Sequence, residues 1–253
     1  MSDSVNTPKV ALITGASRGI GAATARLLAS RGMRVVVNYR SSGEEADGVV
    51  AAIADAGGQA MAAQADVRDE HAVRSMVEEV VSAWGAVDVL VHNALIPYAV
   101  KSFHDITWDE LGGKLEQEVR AAFGLTKAVL PGMAERGYGR IVYLSTVLSR
   151  HPREGMIALG TAKAALDQFA RFVAQEAGPA GVTVNVVAPG PVDETTLADV
   201  FGAEHKLRHA AATPMGRMAT PDDVARAVSF YASDDSAFIT GTVAPVNGGM
   251  AMD

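Results

Sequence analysis

The stretch Thr14-Gly15-Ala16-Ser17-Arg18-Gly19-Ile20-Gly21 decides the fold. It follows a short apolar run at residues 10–13 and leads into an amphipathic stretch at residues 20–29, so strand, glycine-rich turn and helix come in succession. Glycines at this spacing let backbone amides close on a pyrophosphate at the start of the helix, which points to a dinucleotide. A tight turn with close helix packing also uses glycines, but the place between the first strand and the first helix favours the cradle.

Outward from this turn the same alternation continues. A β-branched run at residues 35–37 precedes a helical pattern at 44–56, and a weaker strand at 60–65 precedes a helix at 70–84. Apolar runs at 87–91 and 141–144 are each followed by a loop and a long helical pattern, at 109–133 and 156–177, and runs at 182–187 and 243–246 close the series. Short strands apolar on both faces and separated by helices predict an α/β, doubly wound (Rossmann) parallel sheet with right-handed crossovers. No linker or repeat divides the 253 residues, so residues 1–253 are expected to form a single domain. The longest irregular stretch, 189–220, is expected to cap a ligand.

Composition narrows the function. Half the chain is hydrophobic (49%), and the formal charge of −7 argues against a nucleic-acid partner, whose phosphates require a basic surface. The absence of cysteine excludes disulfides and thiolate metal sites, and no metal is expected. No apolar run reaches the ~18 residues of a membrane span and no leader is visible, so a soluble cytoplasmic protein is expected.

At the end of the second strand, where an acid would bind the ribose hydroxyls of NAD, the sequence is Asn38-Tyr39-Arg40-Ser41-Ser42. Arg40 and Arg18, with the two serines, suit a 2′-phosphate instead, because guanidinium forks match phosphate oxygens. NADP(H) is therefore the expected cofactor.

Further motifs follow in order: Ala65-Asp66-Val67, His92-Asn93-Ala94, Pro189-Gly190-Pro191-Val192, Pro214-Met215-Gly216-Arg217 with Pro221-Asp222-Asp223-Val224-Ala225, and Asn247-Gly248-Gly249. With the glycine turn they resemble the short-chain dehydrogenase/reductase family over nearly the whole chain, on its 3-oxoacyl-[acyl-carrier-protein] reductase-like branch. The resemblance implies a seven-stranded parallel sheet. It also implies that Gly15, Ser17, Arg18, Gly19, Ile20 and Gly21 hold the phosphates, Asp66 and Val67 the adenine, and Asn93, beside Ala94, the ribose side. Lys163 would hold the nicotinamide ribose, and Pro189, Gly190 and Val192 would line the nicotinamide.

The catalytic half departs from that family, which uses a Tyr-x-x-x-Lys pair. The corresponding segment is Leu159-Gly160-Thr161-Ala162-Lys163, so Leu159 stands at the Tyr position. The family's enoyl reductases place Tyr seven residues before Lys, and that position is Met156. The family's helper Ser corresponds to Thr146, with Ser145 beside it, and the family Asn corresponds to Glu118. Loss of a positioned acid costs ~10²–10⁴ in rate, so a conjugated, imine-like or polyketide/acyl-type acceptor, which needs the phenol less, is the expected substrate. A small-molecule substrate is expected, with a carrier protein or coenzyme A as one option for what bears it.

Tyr98, on the loop after the fourth strand, and His151, after the fifth, are candidate replacement acids. Glu118 could pair with Lys163 as a buried ion pair or face solvent. His104, His205 and His209 carry no motif and are read as surface residues. A non-redox cyclase, dehydratase or isomerase, and a noncatalytic NADPH-binding subunit, fit the same residues. Apolar residues around the two long helices (Ala121, Ala122, Phe123, Leu125, Ala128; Ala164, Leu166, Phe169, Phe172) predict a homotetramer.

Overall fold

The computed structural model describes residues 7–195 and 202–252, apart from the side chain of His205. Strands β1 (Val10–Ile13), β2 (Arg34–Tyr39), β3 (Gln59–Gln64), β4 (Val89–His92), β5 (Gly139–Leu144), β6 (Val182–Pro189) and β7 (Val243–Val246) form one sheet. Helices α1 (Gly19–Ser30), α2 (Gly43–Asp55), α3 (Glu70–Trp84), α4 (Trp108–Glu135), α5 (Ile157–Ala177), α6 (Gly202–Ala212) and α7 (Pro221–Tyr231) alternate with them. The strand order is β3-β2-β1-β4-β5-β6-β7. Every pairing is parallel. This is the expected α/β doubly wound sheet.

Strand alternation explains how two cores form. Val10 and Leu12 of β1, Leu90 of β4 and Ile141 and Tyr143 of β5 point to one face, with Leu125 of α4 and Leu166 of α5. Ala11 and Ile13, Val89 and Val91, and Val142 and Leu144 point to the other, with Leu28 of α1 and Val224 of α7. The central strands are buried on both sides, which is why they read as continuous apolar runs rather than alternating ones. The chain runs outward in both directions from the adjacent strands β1 and β4, and the crevice at their carboxyl ends is where such a sheet binds ligands.

Two expectations need correction. The segment 189–220 is not irregular throughout, because α6 lies within it; residues 196–201 are outside the described residues. Nor is the apolar ring of α4 and α5 free for a partner. Ala121, Ala122, Leu125 and Leu166 are sealed against the chain's own sheet, whereas Phe123 and Phe172 are about half exposed, at 49% and 62%. A helix beside a sheet buries a wide stripe, so apolar residues spread around a helix overstate what is left for an interface.

Candidate active site

A cleft of about 950 Å³ opens over the carboxyl ends of the strands. At its centre Gly15 has φ +60°, and a Cβ there would lie 2.8 Å from Ala94 Cα. A Cβ on Gly21 would lie 2.4 Å from Gly15 O and 2.6 Å from Asn93 Nδ2, so both positions require glycine. Helix α1 begins with no side-chain cap and no acid in its first turn, leaving its amides available to an anion.

Thr14 and Asn93 lock this turn to β4. The amides of Asn93 and Ala94 both donate to Thr14 Oγ1 at 3.0 Å. Asn93 Nδ2 donates to the carbonyls of Thr14 and Gly15, each at 3.0 Å. With two amides already donating to it, the Thr14 hydroxyl donates its own proton to His92 Nδ1, 3.2 Å away, which places the ring hydrogen of His92 on Nε2.

The wall beyond β2 carries the arginines. Asn38 is buried and committed: its Oδ1 accepts from the Gly15 amide at 3.4 Å, and its Nδ2 donates to the carbonyls of Ala63 and Ala65 at 3.2 and 3.1 Å. It still lines the cleft, with Tyr39, Arg40, Ser41 and Ser42 beside it and Ser17, Arg18, Gly19 and Ile20 across from them. Arg18 Nη2 donates to Ser42 Oγ at 2.5 Å. Asp66 and Val67 line the same region. The Asp66 carboxylate accepts from Arg68 Nη2 at 2.6 Å, and that bond holds it below the usual carboxylate range.

The opposite end gathers Tyr98, Thr146, His151, Met156, Leu159, Lys163, Pro189, Gly190 and Val192 around one space, with Asn93 and Ala94 between the two ends. Leu159 is 7% exposed and lies one turn of α5 before Lys163. Thr146 Oγ1 accepts from the Leu148 amide at 3.4 Å. The Tyr98 hydroxyl is buried with no hydrogen-bond partner among the described residues, and burial pushes its pKa up. Glu118 does not line the cleft; it is fully buried behind it, between Lys163 and Lys114. Burial pushes Glu118 up, but Lys163, Lys114 and His92 outweigh this and hold it at about 2.

Several residues escaped the sequence reading. His209 is not a detached surface residue: it lines the cleft, its Nε2 lying 3.0 Å from Arg153 Nη1. His104 is exposed, and the side chain of His205 is outside the described residues. Lys114 and Arg68 fall in none of the motifs, and His92 falls in one without a role of its own. The Lys114–Glu118 spacing of four was a visible signal, but which side of α4 it occupies depends on packing.

The family described as enoyl-(acyl carrier protein) reductase matches residues 15–251. The chain belongs to the short-chain dehydrogenase/reductase family. It is 39% identical to an uncharacterised oxidoreductase of Methylorubrum extorquens over 244 residues, covering 96% of this chain and 97% of that one. It is 38% identical to the 3-oxoacyl-[acyl-carrier-protein] reductase of Synechocystis over 97% of this chain and 98% of that one. Against the 3-oxoacyl-[acyl-carrier-protein] reductase FabG of Escherichia coli the identity is 35%, over 96% and 98%. These matches place this short-chain dehydrogenase/reductase on the FabG-like branch. Among its described residues no helix is long and apolar enough to cross a membrane.

Proposed function

We propose that this chain is an NADPH-dependent reductase whose proton source is not the family tyrosine. The observation that carries the cofactor choice is the wall beyond β2: Arg18 is bonded to Ser42, Arg40 lies beside them, and Asn38 stands where an acid would select NAD. Bound NADPH would supply hydride to the acceptor. Gly15, Ser17, Gly19, Ile20 and Gly21 would hold its phosphates, and Asp66, Val67, Asn93, Ala94, Pro189, Gly190 and Val192 would position the remainder.

Leu159 occupies the place that the resemblance assigns to Tyr, so the acceptor is one that needs little help from a phenol: conjugated, imine-like, or of polyketide/acyl type. The names of the reductase relatives support an acyl group borne by a carrier protein or coenzyme A. Thr146 is suited to hydrogen-bond the acceptor oxygen, and Tyr98 and His151 border the same space. The expected result is NADPH binding at least about tenfold tighter than NADH, with most of the difference lost in Arg40→Ala. Equal dissociation constants in the wild type would overturn the reading.

A homotetramer is proposed on the family resemblance, with Phe123 and Phe172 as the exposed aromatic anchors on α4 and α5. Light scattering at micromolar concentration reads the mass directly, and a monomer contradicts it.

A further inference from the structure

Behind the Leu159 end of the cleft three charged side chains are almost fully buried. Glu118 Oε1 accepts from Lys163 Nζ at 2.7 Å, and Glu118 Oε2 accepts from Lys114 Nζ at 2.5 Å. Each ammonium also ends on a carbonyl, Lys163 on Leu144 O at 2.6 Å and Lys114 on Ile96 O at 2.8 Å. The side chains of Lys114, Glu118 and Lys163 are 1%, 0% and 6% exposed. The array thus holds two cations against one carboxylate, an imbalance that a folded interior avoids unless something is gained from it.

Of the three, Lys163 alone lines the cleft. An ammonium has three N–H groups, and Glu118 and Leu144 take two of them. In a simple Lys163–Glu118 pair, loss of a proton from Lys163 would strand a buried carboxylate, which is strongly unfavourable. Lys114 removes that penalty. After the proton leaves, Lys114 and Glu118 remain a balanced pair, and the neutral Lys163 amine keeps both of its donated hydrogen bonds.

We propose that Lys163 is the proton donor that accompanies reduction in this chain, and that Lys114 is the positioning residue whose charge allows the release. The inference rests on the reductase reading above. The acceptor gains a hydride at carbon and so carries an added electron pair. A Lys163 N–H bond then breaks, directly or across one water, and an O–H or C–H bond forms on the product. Neutral Lys163 regains its proton from water in the cleft.

The surrounding titratable groups are consistent with this assignment. His92, from β4, is driven by burial down to about 4 and stays neutral. Tyr98, from the loop after β4, is pushed up by burial and is a weaker acid than a free phenol. Asp167, one turn beyond Lys163 on α5 and beside Ser145 and Ser149, is pushed up by burial, with Ser145, Ser149, Arg150 and Lys163 opposing. Burial, the largest cause, lowers Lys114 while Glu118 raises it, so the order in which the two ammonium groups release decides the assignment.

The test uses the full chain labelled with ¹⁵N-lysine. Of its six lysines only Lys114 and Lys163 are buried, so their ammonium NMR signals are the slowly exchanging ones. In the wild type the Lys163 signal, assigned as the one that survives in Lys114→Met, is expected to lose its ammonium form at a lower pH than the Lys114 signal. In Lys114→Met, which leaves a balanced pair and so should fold, the release should move up by about one pH unit or more, and Lys114→Arg should restore it.

Loss of the Lys114 ammonium form before that of Lys163 in the wild type, or Lys163 release unchanged in Lys114→Met, would overturn the proposal. With 2-cyclohexen-1-one as the acceptor, Lys114→Met should lower kcat about tenfold at pH 7 with the KM for NADPH within about twofold. Its pH profile should shift upward, and a loss without that shift also overturns the proposal. If NADPH does not bind at all, the reductase reading fails, while the titration still judges the array; if the enone is not turned over, the titration alone decides.

Discussion

Leu159 tests the site most directly at the level of one side chain. It is buried against the cleft one turn before Lys163, whose ammonium is already tied to Glu118 and Leu144 O. A phenol there would complete a Thr146, Tyr, Lys163 set, but it would also enter space shaped around an isobutyl group. If that space serves a substrate needing no phenolic donor, Leu159→Tyr lowers the native activity, which is the expected outcome. NADPH oxidation by wild type and variant against ketones, enones and cyclic imines reads it. A wild type inert to all of them, beside a variant that reduces simple ketones, would show a site that has only lost its acid.

Glu118 shows how a side chain's meaning depends on its neighbours. Its pairing with Lys163 could be named as one option from the sequence, since both positions follow from the family pattern. The second cation, Lys114, could not, because a spacing of four on a long helix fits an exposed pair equally well. Burial separates the two cases: the Arg120–Glu116 pair has the same spacing on the same helix, yet its side chains are 63% and 64% exposed and contribute little.

At the level of elements the sequence was most readable where one residue type has one physical use. The glycine turn between β1 and α1 was legible because Gly15 and Gly21 sit where a Cβ collides with backbone. The central strands were legible because burial on both faces leaves uninterrupted Val, Ile and Leu runs. Edge strands were weaker: β3 reads Gln59-Ala60-Met61-Ala62-Ala63-Gln64, and its partly exposed pattern carries little signal.

Helix α6 was missed. Its apolar residues are few, and its side chains His209 and Lys206 border the cleft rather than a core, so no periodic stripe marks it. The contact of Arg153 was equally hidden, since its partner His209 comes from elsewhere in the chain, and Arg68 adds to its local bond with Asp66 a second one to the distant Gln117.

For the whole molecule the buried charges predict how stability depends on pH. His92 is lowered from 6.5 to about 4 by burial, so below pH 6.5 the unfolded chain binds a proton that the folded chain refuses. Its contribution is fully present above pH 6.5 and is lost as pH falls toward 4, by about 1.4 kcal/mol per unit at most. Glu118 is lowered from 4.5 to about 2, so its contribution is present above pH 4.5 and is lost as pH falls from there toward 2. The expected result is an acid-sensitive fold with two successive windows, the upper one absent from His92→Gln. Urea unfolding at pH 8, 6 and 5 checks it, and a wild-type slope matching that of His92→Gln would contradict the assignment.

The latch at Thr14 has a consequence for traffic through the cleft. Its hydroxyl holds two amides from beyond β4 while Asn93 grips two carbonyls from beyond β1, so the loops on either side of the sheet's midline are riveted to each other. Neither loop can swing without unfastening the other, and this footing needs no ordering when a ligand lands on it. Motion that admits or releases a ligand would then fall to the opposite shore, among the described residues from Pro189 onward that border the cleft.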